Sequence, residues 1–287
     1  MRLSRMVVVL SLVITALALT ACGEDEESEP AGTTEAKAAP CAKDALTLVS
    51  SGTLTVGTDK PAFPPYFEDD DPTNGKGFES AVAYAVAKEL GFAKGDVNWT
   101  VVPFNSSYAP GPKDFDFDIN QISITPQREK AVDFSRPYYV APQAVVVGKG
   151  SELSDVSSLA DLADATIGVQ IGTTSLDAVS EVIQPSEQPK VFNDSNDVVT
   201  ALKQNQVDAV VLDLPTAFYL TAAQVPGSKI VGQFNAPGGD SFGLLAAKDS
   251  ELTPCLDEAL KKLESSGELE QITDKWMGAA AGAPELR

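Results

Sequence analysis

Short runs of β-prone residues alternate with helical stretches from Leu54 to Met277, and this alternation constrains the fold more than any other feature of the chain. Leu54–Thr58 predicts a strand. Phe78–Leu90 predicts a helix, with Phe78, Val82, Ala85, Val86 and Leu90 on one face and Gly91 ending it. Val97–Val102 and Phe117–Ile122 predict further strands, and Thr125-Pro126 opens a short helix over Arg128–Val132. The pattern then recurs. Ser157–Leu162, Thr174–Ile183, Asp197–Asn205 and Pro215–Ala223 read as helical. Thr166–Gln170, Lys190–Phe192, Val207–Leu212, Lys229–Gln233 and Gly243–Ala247 read as strands. Cys255–Met277 reads as helix broken at Gly267. Such alternation implies an α/β fold with largely parallel sheets. Two blocks imply two lobes, with crossings expected in Arg136–Val147 and Asn235–Phe242. That assigns 42–141 and 241–287 to one lobe and 142–240 to the other.

Composition removes several classes of function. The 287 residues carry 41 acidic and 21 basic side chains, a formal charge of -20. Such a surface repels phosphate backbones, so no nucleic-acid partner is expected. The chain has no histidine, which excludes Ser-His-Asp and Cys-His nucleophile pairs and imidazole acid–base chemistry. Three cysteines are too few for a Cys-only zinc site, and no metal or cofactor is expected. A mean hydropathy of -0.04 leaves no room for several membrane spans.

The N-terminus reads as an address. Arg2 and Arg5 precede an almost wholly apolar run from Met6 to Leu19, the pattern of a signal peptide over 1–21. The run ends in Leu19-Thr20-Ala21-Cys22-Gly23, which resembles a bacterial lipobox. In such signals cleavage falls before the cysteine, here Cys22, and its thiol receives a diacylglycerol. The alternative is a plain secretory signal with a chance cysteine. Residues 22–41 hold six acids and no large apolar side chain, and so read as a disordered tether. In an exported chain with Cys22 lipidated, Cys41 and Cys255 remain to form one disulfide. Two buried thiols are the alternative.

Four polar clusters follow predicted strands: Asp59; Gln121-Ile122-Ser123; Gly172-Thr173-Thr174-Ser175; and Asp213. In open α/β sheets ligands bind beyond the carboxyl ends of strands, which places a site in a cleft between the lobes. Arg128 would stand at N3 of a helix capped by Thr125, where a cation opposes the helix dipole. A functional reason is a guanidinium fork aimed at a carboxylate; a surface ion pair with Glu129 or Asp133 is the plainer account. The Thr173–Thr174 turn can receive an anion or merely cap a helix. Asp213 can cap a helix or face an ammonium. Taken together, these groups describe an α-amino acid zwitterion. Phe63, Tyr66 and Phe104 lie in loops where they can wall a side-chain pocket or pack the lobe edge.

At these residues the sequence resembles the bacterial extracellular solute-binding proteins of family 3, the amino-acid receptors of ABC importers. Ser123-Ile124-Thr125-Pro126-Gln127-Arg128 and Val132-Asp133-Phe134-Ser135-Arg136-Pro137-Tyr138-Tyr139 carry the core match. Gly77-Phe78-Glu79, Ala87-Lys88-Glu89-Leu90-Gly91, Ile167-Gly168-Val169-Gln170, Val207-Asp208-Ala209 and Lys275-Trp276-Met277-Gly278 extend it in order. The resemblance implies a type II periplasmic-binding-protein fold with its cleft between two lobes. It implies that Arg128 holds the ligand carboxylate with the backbone N–H groups of Thr173 and Thr174, and that Ser123 touches both the carboxylate and the ammonium. Asp213 and the carbonyl of Gln121 would take the ammonium, and Asp59, Phe63 and Phe104 would line the side-chain pocket. It further implies a receptor outside the cytoplasm that binds an L-α-amino acid, serves an ABC permease and is not an enzyme; with the lipobox at Cys22, the expectation is a monomer anchored by lipid to the outer face of the cytoplasmic membrane. Asn120 and Gln121 replace residues that are usually small, Glu79 stands where Asp is commoner, and Ser107–Asp114 is rich in Pro and Gly. The same fold carries secreted dehydratases and lytic enzymes, for which Asp213 and Asp59 are the candidate acids. A third reading is a sensor that presents an amino acid to a partner kinase.

Overall fold

The computed structural model describes residues 41–278 and 282–287. The expected signal peptide (1–21), Cys22 and the tether up to residue 40 lie outside the described residues. Among those described, no helix is long and apolar enough to cross a membrane.

The described residues build two five-stranded sheets, each covered by helices. The first block runs β1 (Leu54–Thr58), α1 (Phe78–Glu89), β2 (Val97–Val101), α2 (Phe104–Ser107), β3 (Phe117–Asp118) and β4 (Val132–Val140). The second runs β5 (Gln143–Val147), β6 (Ile167–Gln170), α3 (Thr174–Ala178), β7 (Lys190–Phe192), α4 (Ser195–Lys203), β8 (Ala209–Asp213), α5 (Leu214–Tyr219) and β9 (Lys229–Phe234). The chain then returns as β10 (Ser241–Ala247), α6 (Thr253–Ser265) and α7 (Glu268–Met277). Strand order is β2-β1-β3-β10-β4 in one sheet and β7-β6-β8-β5-β9 in the other.

Each sheet is mixed rather than largely parallel. β1 pairs in parallel with β2 and β3, and β6 with β7 and β8. β10 and β5 run antiparallel to their neighbours because the chain reverses at each crossing. Arg136–Val147 is mostly strand: only Ala141-Pro142 connects β4 to β5. Residues 235–240 make the return from β9 to β10.

Burial explains the apolar runs. In β5, Val145 and Val147 enter one core and Ala144 and Val146 another, so both faces are covered and the strand reads as continuously apolar. In α1 the predicted face is buried, Phe78, Val82 and Val86 completely, against β1 and α6. A disulfide joins Cys41 to Cys255 at the start of α6, with Cα atoms 5.3 Å apart.

Three local expectations change. The third strand stops at Asp118, because Gln121 takes a left-handed φ of 50° and breaks the ladder. Arg128–Val132 is one 3-10 turn, Arg128–Lys130, since Val132 is already committed to β4. The C-terminal tail, grouped by sequence with the first lobe, lies on the second. Leu286 packs into the core under β6 and β8, and its N–H donates to Gln233 O at 2.9 Å. Gly232 makes room for it: a Cβ there would stand 2.4 Å from Leu286 Cγ.

Candidate functional site

Asp59, Phe63, Phe104, Gln121, Ser123, Arg128, Thr173, Thr174 and Asp213 all line one cavity between the lobes. Four strand ends put the polar members there. Asp59 follows β1, Gln121 and Ser123 follow β3, Thr173 and Thr174 follow β6, and Asp213 ends β8.

Among the described residues Arg128 makes no ion pair. It is 8% exposed, with Thr125 Oγ1 accepting from its backbone N–H at 3.2 Å. Its Nη1 donates to Ser123 O at 2.6 Å and its Nη2 to Gly172 O at 2.9 Å. The guanidinium lies over the rings of Tyr108 and Phe104, at 4.6 and 5.6 Å. Asp133, the alternative partner, is instead 2.8 Å from Lys248. A guanidinium has five donors, so two carbonyls leave part of the fork free for a ligand. Burial lowers its pKa, and Tyr108, Asp177 and Asp213 oppose that shift.

Asp213 stands at the N-cap of α5, but its side chain accepts no capping hydrogen bond. Its Oδ1 accepts from Gln143 Nε2 at 2.8 Å. Burial pushes this carboxyl up to about 7; the Gln143 bond and Arg128 pull it down, and Asp240 and Glu79 push it up. Arg128 and Asp213 therefore set a cation and an acid on opposite walls of one cavity.

Thr173 uses its hydroxyl locally. It accepts from Leu176 N–H at 3.2 Å and donates to Gln170 O at 2.8 Å. What this turn can offer a ligand is backbone N–H. Asp59 also works locally, accepting from the N–H groups of Lys60 and Phe104 at 2.7 and 3.2 Å.

The two walls touch. Ser123 Oγ lies 3.3 Å from Thr174 Oγ1, and Tyr66 Oη lies 3.2 Å from Thr216 Oγ1. Tyr108 Oη donates to Gly172 O at 3.2 Å. Gly172 has a φ of 75°, and a Cβ there would meet Asn105 Oδ1 at 2.3 Å and Tyr108 Oη at 2.4 Å. Only glycine allows this approach.

Other residues at the site had weaker signals in the sequence. Glu79 is fully buried and accepts from Gln121 N–H at 2.7 Å, from Gln121 Nε2 and from Tyr138 Oη. It thereby holds the left-handed turn that points Gln121 at the cavity. Burial raises the Glu79 carboxyl to about 7 against those hydrogen bonds. Gln143 and Asp240 sit behind Asp213, and no local pattern marks them. Thr216, Tyr219 and Asp194 line the cavity from the second lobe. Among the described residues, no group of three or more His, Cys, Asp or Glu side chains can hold a metal.

Comparison with known proteins identifies the family. The arginine-binding extracellular protein ArtP of Bacillus subtilis (strain 168) is 30% identical over 264 residues, covering 90% of this chain and 92% of the relative. An ancestral arginine-binding protein bound to glutamine superposes with a TM-score of 0.68 at 35% identity, covering 80% of this chain and 99% of that one. An ancestral amino-acid-binding protein described as a precursor of cyclohexadienyl dehydratase gives 0.65 at 31% identity, covering 78% and 95%. The family described as bacterial extracellular solute-binding proteins, family 3, matches residues 54–279, nearly all of the described chain. On sequence, fold and the two-lobed cleft alike, this chain belongs to that family.

Proposed function

We propose that this protein is an extracytoplasmic receptor, held to the cytoplasmic membrane by lipid on Cys22. It closes on an L-α-amino acid and delivers it as a monomer to an ABC permease. The observation that carries this reading is the pairing of Arg128 and Asp213 across one cavity. A carboxylate on Arg128, Ser123 and the Thr173–Thr174 turn, with its ammonium on Asp213 and Gln121 O, would bridge both walls. A ligand that contacts both lobes favours the closed state alone.

The side chain is best supported as cationic. A bound zwitterion balances Arg128 and Asp213, and Lys60 turns to Asp70 at 3.5 Å. Asp59 and Asp194 then remain as an acid surplus in a cavity walled by Phe63 and Phe104. Arginine-binding relatives make L-arginine the first candidate. The protein is read as a binder and not an enzyme, because the acids of the cleft are occupied in holding backbone, Gln143 or ligand.

A calorimetric survey of the L-amino acids against the purified protein tests this. L-arginine is expected to bind tightly, with a fall in radius of gyration by small-angle scattering. Failure of every L-amino acid to bind would sink the reading.

A further inference from the structure

Gln143 opens β5, directly after the Ala141-Pro142 crossing, and its side chain is completely buried. Every polar capacity of its amide but one lone pair is used. The two N–H bonds of Nε2 go to two carboxylates, Asp213 Oδ1 at 2.8 Å and Asp240 Oδ1 at 3.2 Å. Its Oε1 accepts from Ser175 Oγ in α3 at 2.6 Å. Asp240 lies in the second crossing and fastens both connections. Its Oδ2 accepts from Ala236 N–H at 2.9 Å, and its backbone carbonyl accepts from Ala141 N–H at 2.8 Å. One amide thus touches the acid facing the cleft, the helix after the Thr173–Thr174 turn, and the Asp240 that fastens the two crossing segments to each other.

We propose that Gln143 is a positioning residue for ligand capture: it fixes Asp213 for the ligand ammonium and ties that carboxylate to the paired crossing segments through Asp240. The inference rests on the reading of Asp213 as the ammonium partner. No other side chain of this size performs the task. Methionine would leave Asp213 without its donor and Asp240 with the Ala236 N–H alone, and glutamate would add a third like charge beside them.

The charged and titratable groups facing Asp213 come from five elements. Asp240 approaches from the second crossing, Glu79 from α1, and Arg128 from the turn before β4. The hydroxyls of Tyr66, in the loop after β1, and Tyr139, in β4, also feel its charge. Ligand capture needs Asp213 ionised, so affinity falls as pH drops through its titration. Gln143 favours the ionised form and Asp240 opposes it. The two partners therefore act on that titration with opposite sign.

The test is calorimetric binding of the tightest amino acid of the survey, L-arginine first, from about pH 5 to about pH 9, the span over which a carboxyl near 7 titrates. Gln143→Met is expected to weaken binding about tenfold at neutral pH, the loss of one charge-assisted hydrogen bond, and to move the acid limb to higher pH. Asp240→Asn is expected to move the limb to lower pH, because it removes a like charge. In an Asp213→Asn background, Gln143→Met should add nothing. Limbs that stay at the wild-type pH or shift in the same direction overturn the proposal, as does an undiminished Gln143→Met effect in the Asp213→Asn background. If Gln143→Met does not fold, Gln143→Asn, whose amide is one methylene short of both carboxylates, is expected to move the acid limb to higher pH, and an unmoved limb overturns the proposal. Wild-type affinity in Asp213→Asn alone would instead remove the ammonium reading on which the proposal stands.

Discussion

Arg128 reaches across the cleft to Gly172: its Nη2 donates to the Gly172 carbonyl at 2.9 Å while Nη1 stays with Ser123 O on its own side. The same carbonyl accepts from Tyr108 Oη at 3.2 Å. One glycine of the second lobe is thus gripped by two side chains of the first.

Arg128→Ala is expected to weaken amino-acid binding by roughly 30- to several-thousand-fold, the range for truncating one member of a buried charge pair. Arg128→Lys should lose much of it, because an ammonium cannot serve two carbonyls and a carboxylate with a planar fork. Calorimetry of the folded variants checks both. Wild-type affinity in Arg128→Ala would sink the assignment.

Asp118 gives a pH-dependent prediction that does not involve the ligand. It is completely buried beside Gly57, and neither carboxyl oxygen has a hydrogen-bond partner among the described residues. Burial raises its pKa well above the usual carboxylate value, Glu79 and Asp59 add to the rise, and Lys113 opposes it. With the folded pKa above the unfolded one, the folded state holds the proton more tightly. The favourable term is complete below the unfolded value and is lost as pH rises through the folded one. Asp118→Asn should therefore melt above wild type in mildly alkaline buffer, by about 2–4 °C per kcal/mol gained. The gap should close as the buffer is acidified toward about pH 4. A gap independent of pH would contradict the account.

The Cys41–Cys255 disulfide closes a loop with a sequence separation of 214. Chain entropy sets an upper figure of about 5 kcal/mol for so long a loop. Cys41→Ser with Cys255→Ser is expected to lower the melting temperature by several degrees, and reductant should lower that of wild type equally. Identical melting curves with and without reductant would show that the bond contributes nothing.

Anchoring through Cys22 is expected to be abolished by Cys22→Ala, which should release the protein into the medium or leave it unprocessed. Two acyl chains suffice for stable attachment where one is marginal. Full membrane retention of the variant after a salt wash would contradict lipidation there.

The order of strands and helices was legible because periodicity is local. Alternation marks a strand and a 3.6-residue stripe marks a helix, whatever the rest of the chain does. The cleft-lining polar residues were legible for a related reason: each sits just past a strand end, where an α/β sheet exposes its ligand side. β4 and β5 were harder to see, because a crossing and two strands are both apolar and extended. The role of Asp213 was ambiguous by sequence, since an N-cap and an ammonium partner have the same local pattern. Its side chain turns to Gln143 instead of its own helix.

Sequence by itself determined the alternation of elements, the absence of histidine chemistry, and which loops carry charge toward a cleft. Only the tertiary structure decided how those loops are held. Gln143 meets Asp213 and Asp240 across separations of 70 and 97 residues, and Glu79 meets Gln121 across 42. Such contacts have no periodicity to betray them. They exist because sheet register brings Gln143 opposite Asp213, and because a buried amide or carboxyl must find partners wherever the fold supplies them.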